Sequence, residues 1–180
     1  MIEPTRRMLL LAAMGVGMAA NKDALAWDFG FPAIDEGRLD LAAFKGRVLL
    51  VTNTASYCGY TYQYEGLEKL HRAERPRGLT VIGVPSQDFN QESADNATVK
   101  TFCEATFGVE FPMAGLAHVR GPQAAPFYAW VREQKRWEPN WNFNKVLIDR
   151  TGHIAGTFGS GDEPQGPKLS QAIEAELAKG

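Results

Sequence analysis

The stretch that decides the fold runs from Arg47 to Gly59 and reads RVLLVTNTASYCG. Residues 47–54 form a continuous aliphatic and β-branched run, which predicts a strand buried on both faces of a sheet. Cys58 follows this strand, and the apolar spacing over residues 63–75 predicts a helix after it. The sequence therefore places a cysteine at a strand–helix junction, where α/β proteins commonly bind ligands.

Outside this stretch, strands and helices alternate along the chain. Further strands are predicted over residues 79–84, 144–149 and 154–158, further helices over 96–107, 127–134 and 169–178, a short hairpin within 27–37 and a helical turn over 39–44. The first two strands, joined through a helix, form a βαβ unit with a right-handed crossover. This order is compatible with an α/β protein of thioredoxin-like fold, a central mixed β-sheet flanked by helices, although periodicity leaves other α/β folds open.

Length and charge limit the functions that the chain can have. Its 180 residues suit one globular domain, and its net charge of −2 comes without a Lys/Arg cluster. We therefore expect no nucleic-acid partner and, because no apolar run in the domain could cross a bilayer, no stable membrane association. His71, His118 and His153 do not stand at metal-ligand spacing with the cysteines, so we expect no metal and no cofactor.

Residues 1–26 have the pattern of a cleavable secretory signal peptide. Arg6-Arg7 precedes a short apolar run, and Ala24-Leu25-Ala26 fits an A-x-A cleavage site. The arginine pair is also typical of twin-arginine export signals, with the general secretory route as the alternative. We expect a mature domain of residues 27–180 in the periplasm or outside the cell. The competing interpretation is an apolar N-terminal helix of the domain.

The chain has two cysteines, Cys58 and Cys103. A helix N-terminus beside Cys58 would favour the thiolate, which is the nucleophilic form. The alternative is an inert buried cysteine. An exported protein can also join two cysteines in a structural disulfide, although a domain of this size does not need one.

Several separated motifs resemble the glutathione peroxidase family. In chain order they read VTNTASYCGYTYQY (51–64), GVPSQDFNQE (83–92), FC (102–103), FPM (111–113) and WNFNKVLID (141–149). The resemblance covers nearly the whole mature chain. It implies a thioredoxin-like fold and a thiol peroxidase that reduces hydrogen peroxide and organic or lipid hydroperoxides in the response to oxidative stress.

The resemblance also implies a catalytic tetrad of Cys58, Gln91, Trp141 and Asn142. An indole N–H and two amide NH₂ groups are neutral donors, which can stabilise a thiolate and the charge on a departing peroxide oxygen. The loop that carries Gln91 is one residue shorter than is usual in the family, so Gln87 is the alternative amide donor.

The recycling step follows from the same resemblance. Some family members use a resolving cysteine on the helix that Cys103 occupies here. Cys58 would then become a sulfenic acid, Cys103 would close a disulfide, and a thioredoxin-like dithiol protein would reduce it, with glutathione as the alternative reductant. The segment between Trp130 and Trp141 is as short as in compact members, so we expect a monomer.

Three other functions compete with the peroxidase. A copper-handling protein of thioredoxin-like fold would use paired cysteines and a histidine ligand. A disulfide oxidoreductase would need a C-x-x-C pair, but Thr61 stands at the second position. A redox sensor that passes oxidation to a partner protein is the third alternative.

Overall fold

A computed structural model describes residues 23–179. Most of the predicted signal peptide, residues 1–22, lies outside the described residues. The helices of the domain are α1 Gln63–Glu74, α2 Asn96–Phe107, α3 Pro126–Lys135 and α4 Pro167–Leu177. The strands are β1 Gly30–Pro32, β2 Arg38–Asp40, β3 Val48–Thr54, β4 Leu79–Pro85, β5 Lys145–Ile148 and β6 Ile154–Phe158. Short 3₁₀ turns cover Ala26–Asp28, Leu41–Phe44 and Arg75–Arg77.

The central sheet has four strands in the order β4-β3-β5-β6. Strand β3 pairs in parallel with β4, with Val48 beside Leu79, and antiparallel with β5. Strand β6 continues the sheet antiparallel to β5. Both β3 and β4 are buried along their whole length, so the predicted pair of buried parallel strands is confirmed. A hairpin is present, formed by β1 and β2, but it extends beyond the predicted residues 27–37: its second strand is Arg38–Asp40, and the helical turn predicted from residue 39 begins at Leu41.

Successive side chains of β3 point to two different apolar cores. Val48 and Leu50 belong to the core that contains residues of α1, α2 and α4. Leu49 and Val51 belong to the core that contains residues of α3 and the N-terminal hairpin. Since strand side chains alternate between the two faces of a sheet, helices cover both faces, as predicted for a layered α/β protein.

The outer edge of β4 is covered by an extended segment around Met113. The Gly83 N–H donates to the Pro112 carbonyl at 3.0 Å, and the Ala114 N–H donates to the Gly83 carbonyl at 2.8 Å. A Cβ on Gly83 would displace the end of the Met113 side chain, so the glycine lets that segment pack closely here. The pairing protects the edge strand and holds the carboxyl end of β4, where the next loop begins.

The folded domain begins ahead of the predicted mature start at residue 27, because Ala24, Leu25 and Ala26 also pack on its core. Ala26 is fully buried, and its N–H donates to the Gly152 carbonyl at 2.9 Å. Trp27 follows, with its indole N–H bonded to the Thr151 carbonyl at 3.0 Å. The N-terminal segment thus packs on the turn between β5 and β6. No helix within residues 23–179 has the length and apolar character needed to cross a bilayer.

Candidate active site

Cys58 lies in a turn between β3 and α1, ahead of the first helical residue Gln63. The helix begins at residue 63 as predicted, and Thr61 holds Cys58 in a separate turn ahead of it. The Cys58 N–H donates to the Thr61 hydroxyl at 3.0 Å, and that hydroxyl donates to the Ala55 carbonyl at 2.9 Å. Such side-chain bonds give the backbone an alternative to helix, so the residues around Cys58 stay outside α1.

The turn supplies its own donor to the Cys58 sulfur. The backbone N–H of Tyr60 points at Sγ with an N···S distance of 3.4 Å. The Cys58 sulfur thus meets a backbone N–H of the turn, where the sequence predicted the N-terminus of a helix. Cys58 is 8% exposed, so the residue is largely shielded from solvent.

Gln91 lies beside both the Cys58 turn and Asn142. Its backbone carbonyl accepts the N–H of Tyr57 at 3.0 Å, and its side-chain Oε1 accepts Nδ2–H of Asn142 at 2.9 Å. Gln87 is exposed instead, and its carbonyl closes a turn with the Asn90 N–H at 2.8 Å. The structure therefore brings Gln91, and not Gln87, to Asn142 and to the turn that carries Cys58.

Trp141 and Asn142 follow each other but differ in exposure. Trp141 is 41% exposed and packs against Phe89, with ring centroids 5.4 Å apart. Asn142 is fully buried, and its carbonyl accepts the Ser160 hydroxyl at 2.6 Å. An exposed indole beside a buried amide suits a site in which one donor meets the incoming substrate and the other is held still by the protein.

Two residues with left-handed backbone flank the predicted donors. Asn90, directly before Gln91, has φ 55°, and Phe143, directly after Asn142, has φ 58°. Asparagine adopts this conformation readily, whereas a phenylalanine held there costs about 1–3 kcal/mol. Phe143 is fully buried, so packing holds the bend that turns Asn142 towards Gln91.

Asn53 holds the segment that carries Trp141 and Asn142, and the sequence interpretation did not identify it. It is fully buried in β3, and its Nδ2–H donates to the Trp141 carbonyl at 3.0 Å while its Oδ1 accepts the Asn144 N–H at 3.1 Å. Its backbone carbonyl accepts the Phe143 N–H at 2.6 Å. One side chain thus holds the segment on both sides of Asn142. The available signal was an asparagine inside an apolar strand, where a polar side chain must find partners.

Cys103 lies on the buried side of α2 and is 1% exposed. It shares an apolar core with Cys58, and both cysteines are free thiols. The residues that precede them, Phe102 and Tyr57, have ring centroids 6.4 Å apart. Burial raises the pKa of the Cys103 thiol to about 11. Cys103 is therefore near the candidate nucleophile but protonated and shielded at neutral pH.

The three histidines are accounted for by structural contacts or lie on the surface. His71 is buried on α1, where its Nδ1 accepts the Val81 N–H at 3.3 Å. His118 pairs with Asp88 at 2.6 Å. Within residues 23–179, no three His, Cys, Asp or Glu side chains are grouped in a way that could hold a metal ion.

Comparison with known proteins shows which family the chain belongs to. Residues 26–132 match the sequence model of the family described as glutathione peroxidase. The chain is 35% identical over 144 residues to a glutathione peroxidase of Lactococcus lactis, covering 77% of this chain and 92% of the relative. It is also 35% identical over 158 residues to a hydroperoxy fatty acid reductase of Synechocystis, covering 82% and 94%.

Solved structures support the fold. The crystal structure of Trgpx in its apo form has a TM-score of 0.70 and 33% identity, covering 87% of this chain and 97% of the other. A thiol:disulfide interchange protein of the thioredoxin family from Chlorobium tepidum, with a TM-score of 0.63 and 16% identity, covers 83% and 92% and shares the fold alone. The predicted thioredoxin-like fold is confirmed, and the chain belongs to the glutathione peroxidase family.

Proposed function

We propose that the protein is a two-cysteine thiol peroxidase in which Cys58 reduces the hydroperoxide and Cys103 resolves the oxidised Cys58. Membership of the glutathione peroxidase family supports the reaction class. The observation that carries the assignment of residues is the Asn142–Gln91 hydrogen bond of 2.9 Å beside the Cys58 turn. It gathers amide groups from distant parts of the chain next to a cysteine.

In the first step, the Cys58 thiolate attacks one peroxide oxygen and the O–O bond breaks. Cys58 becomes a sulfenic acid, and the other oxygen leaves as an alkoxide that takes up a proton to form an alcohol, or water from hydrogen peroxide. Charge therefore moves from sulfur to the leaving oxygen. The Gln91 and Asn142 amides and the Trp141 indole can donate to that oxygen without acting as bases themselves.

In the second step, Cys103 attacks the sulfur of the Cys58 sulfenic acid. An S–S bond forms, the S–O bond breaks, and the hydroxide leaves as water with the proton of the Cys103 thiol. Cys103 is 1% exposed. Its backbone carbonyl accepts a hydrogen bond of 3.4 Å from the N–H of Val109, which lies beyond the end of α2. We propose that the C-terminal part of α2 opens locally to let the two sulfurs meet, since a disulfide needs Cα atoms within about 7 Å.

A dithiol protein is the proposed reductant. Two relatives of this chain are named glutathione peroxidase-like peroxiredoxins: one from Schizosaccharomyces pombe, 37% identical, and one from Saccharomyces cerevisiae, 36% identical. These names favour a thioredoxin-type partner. Such a protein reduces the disulfide by exchange. Glutathione is the second candidate.

The surroundings of Cys58 favour hydroperoxides with an apolar chain. The large apolar side chains that are exposed in the described part of the chain are Tyr57, Tyr62 and Trp141, at 64%, 53% and 41%. Tyr57 and Tyr62 belong to the Cys58 turn, and Trp141 belongs to the predicted tetrad. The name of the hydroperoxy fatty acid reductase from Synechocystis points to the same substrate class.

We propose that the protein is exported and acts as a monomer. The predicted cleavage follows Ala26, but that residue is buried and bonded to Gly152 at 2.9 Å. Cleavage upstream, after Gly17-Met18-Ala19, would keep Ala26 in the folded domain and also fits the small-residue pattern. The intact mass of protein recovered from the periplasm tests this: a mature chain that begins at Trp27 contradicts upstream cleavage, and an uncleaved cytoplasmic chain contradicts export. Size-exclusion chromatography with light scattering tests the monomer.

The direct test of the proposed function is peroxide consumption by Cys58→Ser. We expect this variant to lose activity towards hydrogen peroxide and fatty acid hydroperoxides with every thiol reductant, because the attacking sulfur is gone. Near-full activity would contradict the mechanism. A wild-type protein that is oxidised once but never turns over with any dithiol would instead favour a redox sensor.

A further inference from the structure

Tyr64 is a buried tyrosine that packs against the helix carrying Cys103. It is fully buried near the start of α1, in the core that contains Cys58 and Cys103. Its ring contacts Phe107 at the end of α2 and Phe143 of the tetrad segment, with centroids 5.4 Å away in both cases. The ring is therefore held in place by α2, which carries Cys103, and by the segment that carries Asn142 of the predicted tetrad.

The hydroxyl of Tyr64 is a buried donor without an ordinary acceptor. Within residues 23–179 no hydrogen bond of standard geometry satisfies it, and the polar groups that face it are the Cys103 thiol and the Thr54 hydroxyl. A buried donor without a partner destabilises the fold. A thiol is a weak acceptor and a thiolate is a strong one. The O–H would therefore gain a good partner when Cys103 loses its proton.

The other groups around Cys103 oppose that loss. Burial has the largest effect and raises its pKa to about 11, and the charges of Glu92 and Glu104 act in the same direction. Among the groups that act on Cys103, the Tyr64 hydroxyl alone lowers the pKa. A resolving cysteine in this setting needs such a donor because the thiolate is the attacking form.

We infer that the Tyr64 hydroxyl activates Cys103 by donating a hydrogen bond to its sulfur during attack on the Cys58 sulfenic acid. This inference rests on the proposed two-cysteine cycle. Cys103 gives up its proton, the S–S bond forms, the Cys58 S–O bond breaks, and the departing hydroxide takes that proton to become water. Tyr64 keeps its own proton throughout. The first step, attack of Cys58 on peroxide, does not involve Tyr64.

The test is a single-turnover comparison of the wild type with Tyr64→Phe from pH 6 to pH 9. One equivalent of hydrogen peroxide is added, and sulfenic acid and disulfide are followed by quenched mass spectrometry. We expect unchanged sulfenic acid formation, disulfide formation slowed about tenfold and a pH profile displaced upward by about one unit, as for the loss of one donor. Tyr128→Phe is the matched control, because Tyr128 is also buried with an unsatisfied hydroxyl but lies in the opposite core.

A second measurement does not depend on the disulfide. In Cys58→Ser protein, thiolate absorbance measured as the difference from the same protein with Cys103→Ser, in which tyrosinate absorbance cancels, titrates Cys103, and adding Tyr64→Phe to both should raise its apparent pKa. A disulfide rate and pH profile like those of the wild type in Tyr64→Phe would overturn the inference and leave the cycle intact. A wild type that forms no Cys58–Cys103 disulfide would overturn the cycle itself, and the inference with it.

Discussion

The side-chain amide of Asn142 donates a hydrogen bond of 2.9 Å to the side-chain carbonyl of Gln91. The two residues are 51 positions apart, and Gln91 also accepts the N–H of Tyr57, next to Cys58. The bond occupies the carbonyl of Gln91 and so directs its NH₂ group away from Asn142. A peroxide at Cys58 could then meet a donor with a fixed orientation, which is how preorganised sites stabilise developing charge.

Gln91→Glu should slow the oxidation of Cys58 by about 100-fold, because it removes one donor and puts an acceptor in its place. Stopped-flow measurement of the second-order rate with hydrogen peroxide gives the number. The matched control is Gln87→Glu, which makes the same chemical change at an exposed site in the same loop. If Gln87→Glu slows the oxidation of Cys58 strongly while Gln91→Glu changes its rate little, Gln87 is the donor.

Asn53→Ala should lower both stability and activity. It removes the side-chain bonds to the Trp141 carbonyl and the Asn144 N–H, and leaving buried groups without partners costs about 1–3 kcal/mol each. We expect a drop in the free energy of unfolding in urea and slower oxidation of Cys58 in the fraction that remains folded. Asn140→Ala, an exposed neighbour, is the control and should change neither quantity. Unchanged peroxide kinetics in Asn53→Ala would show that Asn53 supports the fold alone.

Because of Lys145, the free energy of unfolding should depend on pH in the alkaline range. It is fully buried, donates to Gln63 at 2.6 Å and to the Asp162 carbonyl at 2.8 Å, and burial lowers its pKa to about 8. The unfolded state therefore binds more protons than the folded state between about pH 8 and pH 10.5, so the free energy of unfolding rises with pH there.

Comparison with Lys145→Met isolates this effect. From pH 7 to pH 9.5, the wild type should gain about 2 kcal/mol relative to the variant in urea unfolding. The raised pKa of Cys103 acts in the opposite direction, because the folded state then holds the proton more tightly. Cys103 is present in both proteins, so its contribution cancels in the difference. A difference that stays constant with pH would mean that Lys145 titrates normally.

Cys103→Ser should separate oxidation from turnover. We expect Cys58 to be oxidised once at the wild-type rate, since Cys103 does not take part in attack on the peroxide. Steady-state turnover with a thioredoxin-type dithiol should fall to background, because the serine hydroxyl cannot form a disulfide. The assay follows reductant consumption at several peroxide concentrations. Full turnover in the variant would indicate a one-cysteine cycle.

The elements of the fold could be predicted where the sequence pattern is strong. Helix α2, Asn96–Phe107, has the predicted bounds because Asp95 caps its start and Gly108 ends it in a left-handed conformation. Strands β3 and β4 were predicted because a continuous apolar run fits a strand that is covered on both faces.

The site was harder to predict because contacts between distant residues build it. Periodicity gave no sign that the Thr61 hydroxyl would hold Cys58 in a turn ahead of α1. It also left Gln91 and Gln87 as alternatives, which only the packing of the loop against Asn142 distinguishes. The role of Asn53 depends on hydrogen bonds to Trp141 and Asn144, which lie 88 and 91 positions later in the chain.

The two-cysteine cycle is tested most directly by peptide mass spectrometry of the mature protein after one equivalent of hydrogen peroxide, without added reductant. We expect a disulfide between the peptides that contain Cys58 and Cys103, preceded at short times by a sulfenic acid on Cys58 alone. A stable Cys58 sulfenic acid with Cys103 still reduced, or first oxidation at Cys103, would contradict the cycle.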